Sequence, residues 1–412
     1  MRNVIVGQSG GPTAVINSSL LGVYKTAKDR GAKTVYGMIH GIKGLLDGQV
    51  ADMSERLRTE LDMDLLKRTP SSFLGSCRYK LPDVLGNEEL YKKIFAYLDK
   101  LEIDAFFYIG GNDSMDTIKK LTDFGAITSS PIRFIGVPKT IDNDLAITDH
   151  TPGYGSAAKY IAATTKEIIR DGLVYDYPVV SVMEIMGRNA GWLTAATALA
   201  KGEDCEGVDE IYLPERVFDL DYFLANVGKK LKENRSMVIA VSEGIKVADG
   251  RYVCELADHV DYVDMFGHKQ LAGTARFLAA KVAEKYGVKT RAIELSSLQR
   301  CASHITSRTD VTEAYNVGGA AVKAAFEGMT GQVITLKRIS DDPYMCITEP
   351  ADVHVIANVE KKVPLEWITK DGTYVKPELV HYIRPLIQAE ITPLWVDGLP
   401  RHIRLKNPRM RD

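Results

Sequence analysis

The densest chemistry in this chain lies in Pro138-Lys139-Thr140-Ile141-Asp142-Asn143-Asp144. The stretch follows an apolar run, Ile132-Arg133-Phe134-Ile135-Gly136-Val137, which reads as a strand. Proline has no amide hydrogen for a sheet ladder, so the strand is expected to stop there. Beyond the stop come a cation, a hydroxyl and two carboxylates. Together they offer a base, a charge stabiliser and a metal-facing oxygen. In open α/β sheets ligands sit just past the carboxyl ends of strands, so the placement suits catalysis. A solvated turn would use the same residue types, because Asp and Asn favour turns in their own right.

Other strand ends carry related groups. Gln8-Ser9-Gly10-Gly11-Pro12-Thr13 joins the first strand to a helix, and Gly110-Gly111-Asn112-Asp113-Ser114 does the same later. Glycines let a backbone approach a ligand closely, and amides at a helix start bind phosphate. Tight turns with a helix cap would explain either one alone. Gly153-Tyr154-Gly155-Ser156 superficially fits a dinucleotide fingerprint. It follows a polar loop rather than a clean strand, so a helix start is the better reading. Arg188, in Met186-Gly187-Arg188-Asn189, stands at a strand end and a helix start, where a cation can hold a phosphoryl group. Glu243 ends another strand and can accept hydrogen bonds from sugar hydroxyls. Arg291 and Arg300 flank a further strand. Nine residues of extended chain span roughly 30 Å. On that geometry one ligand would not touch both arginines of one chain, and a neighbouring subunit would have to supply one.

The elements that position these groups alternate. Strands are expected at Asn3–Gly7, Thr34–Ile39, Ala105–Ile109, Ile132–Val137, Val179–Ile185, Glu210–Leu213, Met237–Val241, Ala292–Leu295 and Gln332–Leu336. Helical stretches lie between them, among them Thr13–Asp29, Ser114–Phe124, Ser156–Asp171, Ala190–Ala200 and Leu271–Tyr286. The pattern predicts an α/β fold of βαβ units, with parallel sheets covered on both faces. From about Ala351 the alternation fades and prolines gather, which predicts an extension packed on the core, with Lys406 to Asp412 frayed. At 412 residues, two domains are the natural expectation. A net charge of -2 gives no reason to expect nucleic acid or an anionic membrane as partner. Five scattered cysteines show no metal-ligand spacing and suit reduced thiols in a cytoplasmic protein. The N-terminus lacks a signal-peptide layout, and no apolar run is long enough for a bilayer.

Taken in order, these pieces resemble the phosphofructokinase family up to about residue 345. The resemblance rests on Ser9-Gly10-Gly11, Phe73-Leu74-Gly75-Ser76-Cys77-Arg78, Gly110 to Ser114, Pro138 to Asp144, Met186-Gly187-Arg188, Glu243-Gly244, and Arg291 through Gln299-Arg300. It implies two Rossmann-like lobes with mainly parallel sheets and an active site between them. A phosphoryl-donor lobe would take 1–153 with 300–350, a fructose 6-phosphate lobe 154–299, and an extension 351–412. The resemblance makes Asp142 the base for the sugar 1-hydroxyl, with Thr140 and Asp144 positioning the sugar. It gives fructose 6-phosphate to Met186, Gly187, Arg188, Glu243 and Arg300, and the donor to Gly10 and Arg78. Arg291 matches an arginine lent across a subunit interface, so a homodimer or homotetramer is implied.

Family members that use ATP typically carry glycine at the positions of Asp113 and Lys139, whereas pyrophosphate-dependent members carry Asp and Lys. A carboxylate at Asp113 adds bulk and negative charge where the α-phosphate and nucleoside would pass. Lys139 adds a cation that suits short, highly charged pyrophosphate. Pyrophosphate is therefore the expected donor, with Arg188 and Lys139 neutralising the transferring and leaving oxygens. An ATP-dependent enzyme and a catalytically silent sugar-phosphate-binding subunit are the alternatives. Three positions depart from the family. Asn112 replaces an aspartate associated with Mg2+, which leaves Asn112, through water, with Asp113, Asp142 or Asp144 to serve the metal. Ser297 replaces a histidine or tyrosine beside the sugar. Val179 replaces a second cross-subunit arginine, for which Tyr382, Arg384 or other residues of the extension would have to substitute.

Overall fold

The computed structural model describes residues 1–257 and 271–405. The expected fraying of Lys406 to Asp412 lies outside the described residues. The chain first lays down β1 (Asn3–Gln8), β2 (Thr34–Met38), β3 (Val50–Asp52), β4 (Ile103–Gly110) and β5 (Arg133–Pro138). It then builds β6 (Val179–Ile185), β7 (Glu210–Tyr212), β8 (Ser236–Ser242) and β9 (Lys289–Glu294). Finally it returns through β10 (Gln332–Asp341) and β11 (Tyr344–Asp352). Among the described residues these strands form a seven-stranded sheet, ordered β11-β10-β5-β4-β1-β2-β3, and a four-stranded sheet, ordered β7-β8-β6-β9. This is the two-lobed α/β arrangement expected.

Each sheet is covered on both faces, as parallel strands require. In β4, Phe107 and Ile109 pack into one apolar cluster with Val4, Val6 and Leu20. Phe106 and Tyr108 point the other way, into a cluster with Ile5, Tyr91 and Phe134. The second sheet divides similarly, with Met183 and Ile185 on one side and Val180 and Val182 on the other. The helix Arg308–Phe326 returns the chain to the first sheet by packing on Ile16–Asp29. The approach needs glycine: a Cβ on Gly22 would lie 2.1 Å from the Tyr315 carbonyl oxygen, and one on Gly318 would lie 2.2 Å from that of Ser19.

The interior pairs are parallel, but β3 and β11 run antiparallel to β2 and β10 at the two sheet edges. The alternation of short apolar runs reveals neither. β3 has only three residues, and β11 mixes exposed with half-buried positions because it is an edge. Beyond it the chain packs onto the second sheet's core. Val363, Ile368, Leu379 and Ile383 join the cluster that holds Trp192 and Ile185.

The three Gly-rich turns part company in the fold. Two of them end β1 and β4. The third opens the helix Tyr154–Gly172, as expected, and its N-terminus is already taken. The amides of Gly153 and Ser156 each donate to the Asp310 carboxylate at 2.8 Å. None of the five cysteines is paired. Among the described residues no helix is long and apolar enough to cross a membrane.

Candidate active site

The carboxyl ends of the two sheets face each other across a cleft of about 960 Å³. Loops after β1, β4 and β5 bring Gly10, Asn112, Asp113, Lys139, Thr140, Asp142 and Asp144 to it, and Arg78 joins them from the loop that packs on the β1 turn. Loops after β6, β8 and β9 bring Met186, Arg188, Glu243, Ser297 and Arg300 from the other side. The Gly187 side of the turn does not line the cleft. Its amide donates to Glu243 Oε1 at 3.4 Å, and its carbonyl accepts from the Ser242 hydroxyl. Gly187 thereby holds Glu243 in place. Its φ of 141° and a would-be Cβ 2.6 Å from the Ala190 carbonyl explain the glycine.

Lys139 follows Pro138, the last paired residue of β5, and turns inward, with only 2% of its surface exposed. Its ammonium donates to the carbonyls of Ser9 at 2.9 Å and Gly11 at 2.6 Å. A lysine has three N–H donors, so one remains for a ligand in the cleft. Burial lowers its pKa to about 8, with Asp142 and Asp144 opposing the fall and Arg300 and Arg78 adding to it. Asp142 shows the converse. Burial raises its carboxyl, while Lys139, the Thr140 hydroxyl, Arg188 and Arg300 pull it back. The Thr140 hydroxyl receives the Asp142 amide at 3.1 Å and reaches the carboxylate at 3.5 Å. Asp144 is pushed up to about 7 by burial and then by Asp142. Glu243 rises to about 8 for the same two reasons. The cleft is therefore a group of carboxyls with raised proton affinity facing a cluster of cations.

The Phosphofructokinase family profile matches residues 3–325. The chain belongs to the phosphofructokinase family. It is 40% identical over 410 residues to a pyrophosphate–fructose 6-phosphate 1-phosphotransferase from Methylococcus capsulatus, covering 98% of this chain and 96% of that one. It is 41% identical over 409 residues to the protein of the same name from Xanthomonas campestris, covering 98% and 96%. The crystal structure of a pyrophosphate-dependent phosphofructokinase from Nitrosospira multiformis superposes with a TM-score of 0.89 at 38% identity, covering 100% of this chain and 98% of that one.

Within this phosphofructokinase fold the departures read as follows. Asn112 donates to Asp144 Oδ2 at 3.4 Å, while its own Oδ1 is buried without a hydrogen-bond partner. Ser297 lines the cleft but is exposed. Val179 is fully buried at the start of β6, paired between Ser236 and Lys289, and serves the core. Neither suggested substitute reaches the cleft. Tyr382 spends its hydroxyl on Asn143 and the Asp149 carbonyl, and Arg384 lines a separate cavity with Lys201 and His381. Arg291 also stays out of this chain's cleft, bound to Asp171 and set 5.2 Å over the Tyr175 ring. The extended 30 Å span between Arg291 and Arg300 does not hold. β9 stops at Glu294, Ser296 turns left-handed at φ 46°, and a short helix covers Leu298–Cys301.

Sequence reasoning missed several residues of this site. Asn143, fully buried at φ 54° between the two aspartates, accepts from the Thr151 amide at 3.0 Å and donates to Tyr382. Gln299 accepts from the Met186 amide at 3.3 Å and so ties the two sugar-side loops. Asn358 and Glu360, from the extension, line the cleft as well. Only Asn143 and Gln299 lay inside recognisable motifs. Nothing local marked the other two.

The loop that carries Asp142 ends at a buried ion network. His150 contacts Asp149 at 2.7 Å and Glu313 at 2.6 Å. Burial alone would lower its pKa, but the Glu313 charge and both carboxylate hydrogen bonds raise it from 6.5 to about 9. A raised folded pKa means the stabilisation is complete below 6.5 and disappears as pH climbs through 9. The advantage of the native protein over His150→Gln is on the order of 3 kcal/mol at pH 6. Thermal melts across pH 6 to 10 should show it shrinking between 6.5 and 9. A pH-independent difference would contradict this account.

Proposed function

We propose that this protein transfers a phosphoryl group from pyrophosphate to the 1-hydroxyl of fructose 6-phosphate, reversibly, giving fructose 1,6-bisphosphate and phosphate. The observation that carries the reading is Lys139, a buried cation fixed to the β1 turn beside Asp142 with one donor still free. A short polyanion with no nucleoside is the ligand such a fixed charge suits. The names of the relatives that match nearly the whole chain agree with it.

In this mechanism Asp142 accepts the proton of the 1-hydroxyl as that oxygen attacks the terminal phosphorus in line. The new O–P bond forms as the bridging P–O bond of pyrophosphate breaks, and inorganic phosphate leaves. Burial gives Asp142 more proton affinity than an ordinary aspartate, and the facing cations keep it ionised enough to act. Arg188 and Lys139 offset charge on the transferring and leaving oxygens. Gly10 and Arg78 hold the donor. Thr140 and Asp144 orient the sugar, and Met186, Glu243, Ser297 and Arg300 bind it, with Gly187 fixing Glu243.

Mg2+ fits the donor set. Asn112 contributes a buried, unpartnered oxygen, and Asp144 and Asp113 stand nearby. Among the described residues no trio of His, Cys, Asp or Glu makes a metal cage. That agrees with a cation that keeps waters and substrate oxygens as most of its ligands. When bound, it would neutralise pyrophosphate charge. Arg291 lies on the edge strand β9 near exposed Leu173 and Val174. An edge with apolar neighbours supports a subunit contact through which Arg291 reaches a partner's sugar site. We place the donor lobe at 1–153 with 300–350, the sugar lobe at 154–299 and the protein in the cytoplasm.

Asp142→Ala should lower kcat by about 10² to 10⁴, with the fructose 6-phosphate dissociation constant changed only a few-fold. Near-normal turnover would remove Asp142 as the base. Asp113→Gly combined with Lys139→Gly should cut pyrophosphate-supported kcat/KM by about 100-fold, the size of one or two charged hydrogen bonds. Steady-state rates with pyrophosphate measure it, and unchanged rates would refute the donor assignment.

A further inference from the structure

The family profile ends at residue 325, yet the extension beyond it lines the cleft through Asn358 and Glu360. Residues 360–363 lie between the two lobes and are bonded to both. Toward the first lobe, Glu360 bridges to Leu145, and the Lys361 amide donates to the Asp144 carbonyl at 2.7 Å. The Lys361 ammonium donates to the carbonyls of Asp149 at 2.7 Å and Thr148 at 3.1 Å, and reaches Asn143 Oδ1 at 3.5 Å. Those three acceptors match the three protons of an ammonium.

Toward the second lobe, the Trp192 indole donates to the Lys361 carbonyl at 3.0 Å, and the ammonium stands 5.3 Å over the same ring. Asn189 donates to Glu360 at 2.7 Å. The amides of Val363 and Gly191 share Glu215 Oε1, each at 2.9 Å. One side of this segment therefore holds the loop Asn143–Asp149, and the other holds the turn that follows Arg188.

We propose that residues 360–363 are a strap that registers the Asp142 loop against the Arg188 turn, with Lys361 as its positioning residue. Lys361 is not a catalytic residue, because it is not among the groups that line the cleft. Its cation sits among two backbone oxygens and the Asn143 amide oxygen, where burial lowers it to about 8 and the Asp149 and Asp144 charges oppose the fall. Without it, the Thr148 carbonyl loses its donor, while the Asp149 carbonyl keeps only the Tyr382 hydroxyl and Asn143 Oδ1 only the Thr151 amide. The loop next to Asp142 is then free to shift, and a displacement of about 1 Å costs roughly 10²-fold in rate.

The inference rests on the proposed phosphoryl transfer only for its kinetic readout. In the full-length protein, Lys361→Met should lower kcat by about 10- to 100-fold, with KM for fructose 6-phosphate within threefold and the folded fraction unchanged. Lys361→Gln, which keeps an N–H donor, should recover part of the loss. Glu366→Ala, exposed just beyond the strap, should behave as the native protein. Should Lys361→Met fold poorly, Trp192→Phe removes the indole donor together with part of a buried ring, and in the folded variant should lower kcat less, in the same KM-independent way. Hydrogen exchange gives a readout without turnover. Lys361→Met should speed exchange in both 143–149 and 187–191. Native kcat, or protection unchanged in either segment, overturns the strap. Absence of turnover in the native chain with any donor would instead overturn the functional reading, while the exchange result would still decide the strap.

Discussion

A buried ammonium group bound by two backbone carbonyls is the constraint around which the cleft is built. Lys139 leaves the end of β5 and closes onto the β1 turn, so two strands and their loops share one charge. Desolvating an ammonium is costly unless acceptors and counter-charges replace its water. Here Ser9 and Gly11 supply the acceptors, and Asp142 and Asp144 supply the charge. Burial raises the proton affinity of the carboxyls, and the nearby ammonium pulls Asp142 back and keeps it ionisable. Base and charge stabiliser are thus properties of one pair. Moving either would change both.

The fold serves that pair by opposing two sheet ends. Each lobe is an ordinary α/β layer with apolar residues on both faces, and each delivers its polar groups at carboxyl ends. What sets the distance between the ends is less ordinary. The helix Arg308–Phe326 carries the chain back to the first lobe, and its Asp310 caps the helix that opens the second. Glu313, one turn later, meets His150 at the end of the Asp142 loop. Residues 360–363 then fill the seam. The lobes are therefore joined by charged and backbone hydrogen bonds close to the reacting groups.

Most of the interior of this architecture was legible because buried parallel strands are short apolar runs between helical stretches. Val179–Ile185 falls where the sequence put it and most other strands differ by a residue or two, but β9 begins at Lys289 rather than Ala292 and β10 runs on to Asp341 rather than stopping at Leu336. Edge strands were not legible, since β11 is half exposed and carries no continuous apolar signal. The cleft residues were legible where a motif ends a strand: Gly10, Asn112, Asp142, Arg188 and Glu243 all reach one cavity. Lys361 and Glu360 were not, because they act through backbone contacts made by a segment distant in sequence. Nor could spacing place Arg291. A strand that ends in a left-handed Ser296 defeats any estimate from extended chain length.

The account depends on the fixed charge being matched to a donor without a nucleoside. The most direct measurement is the initial rate of fructose 6-phosphate phosphorylation by the purified native protein with Mg2+, comparing pyrophosphate with ATP. The account predicts a kcat/KM at least ~100-fold greater with pyrophosphate, the scale of discrimination that a misplaced or excluded polar group produces. Equal or faster turnover with ATP would contradict it.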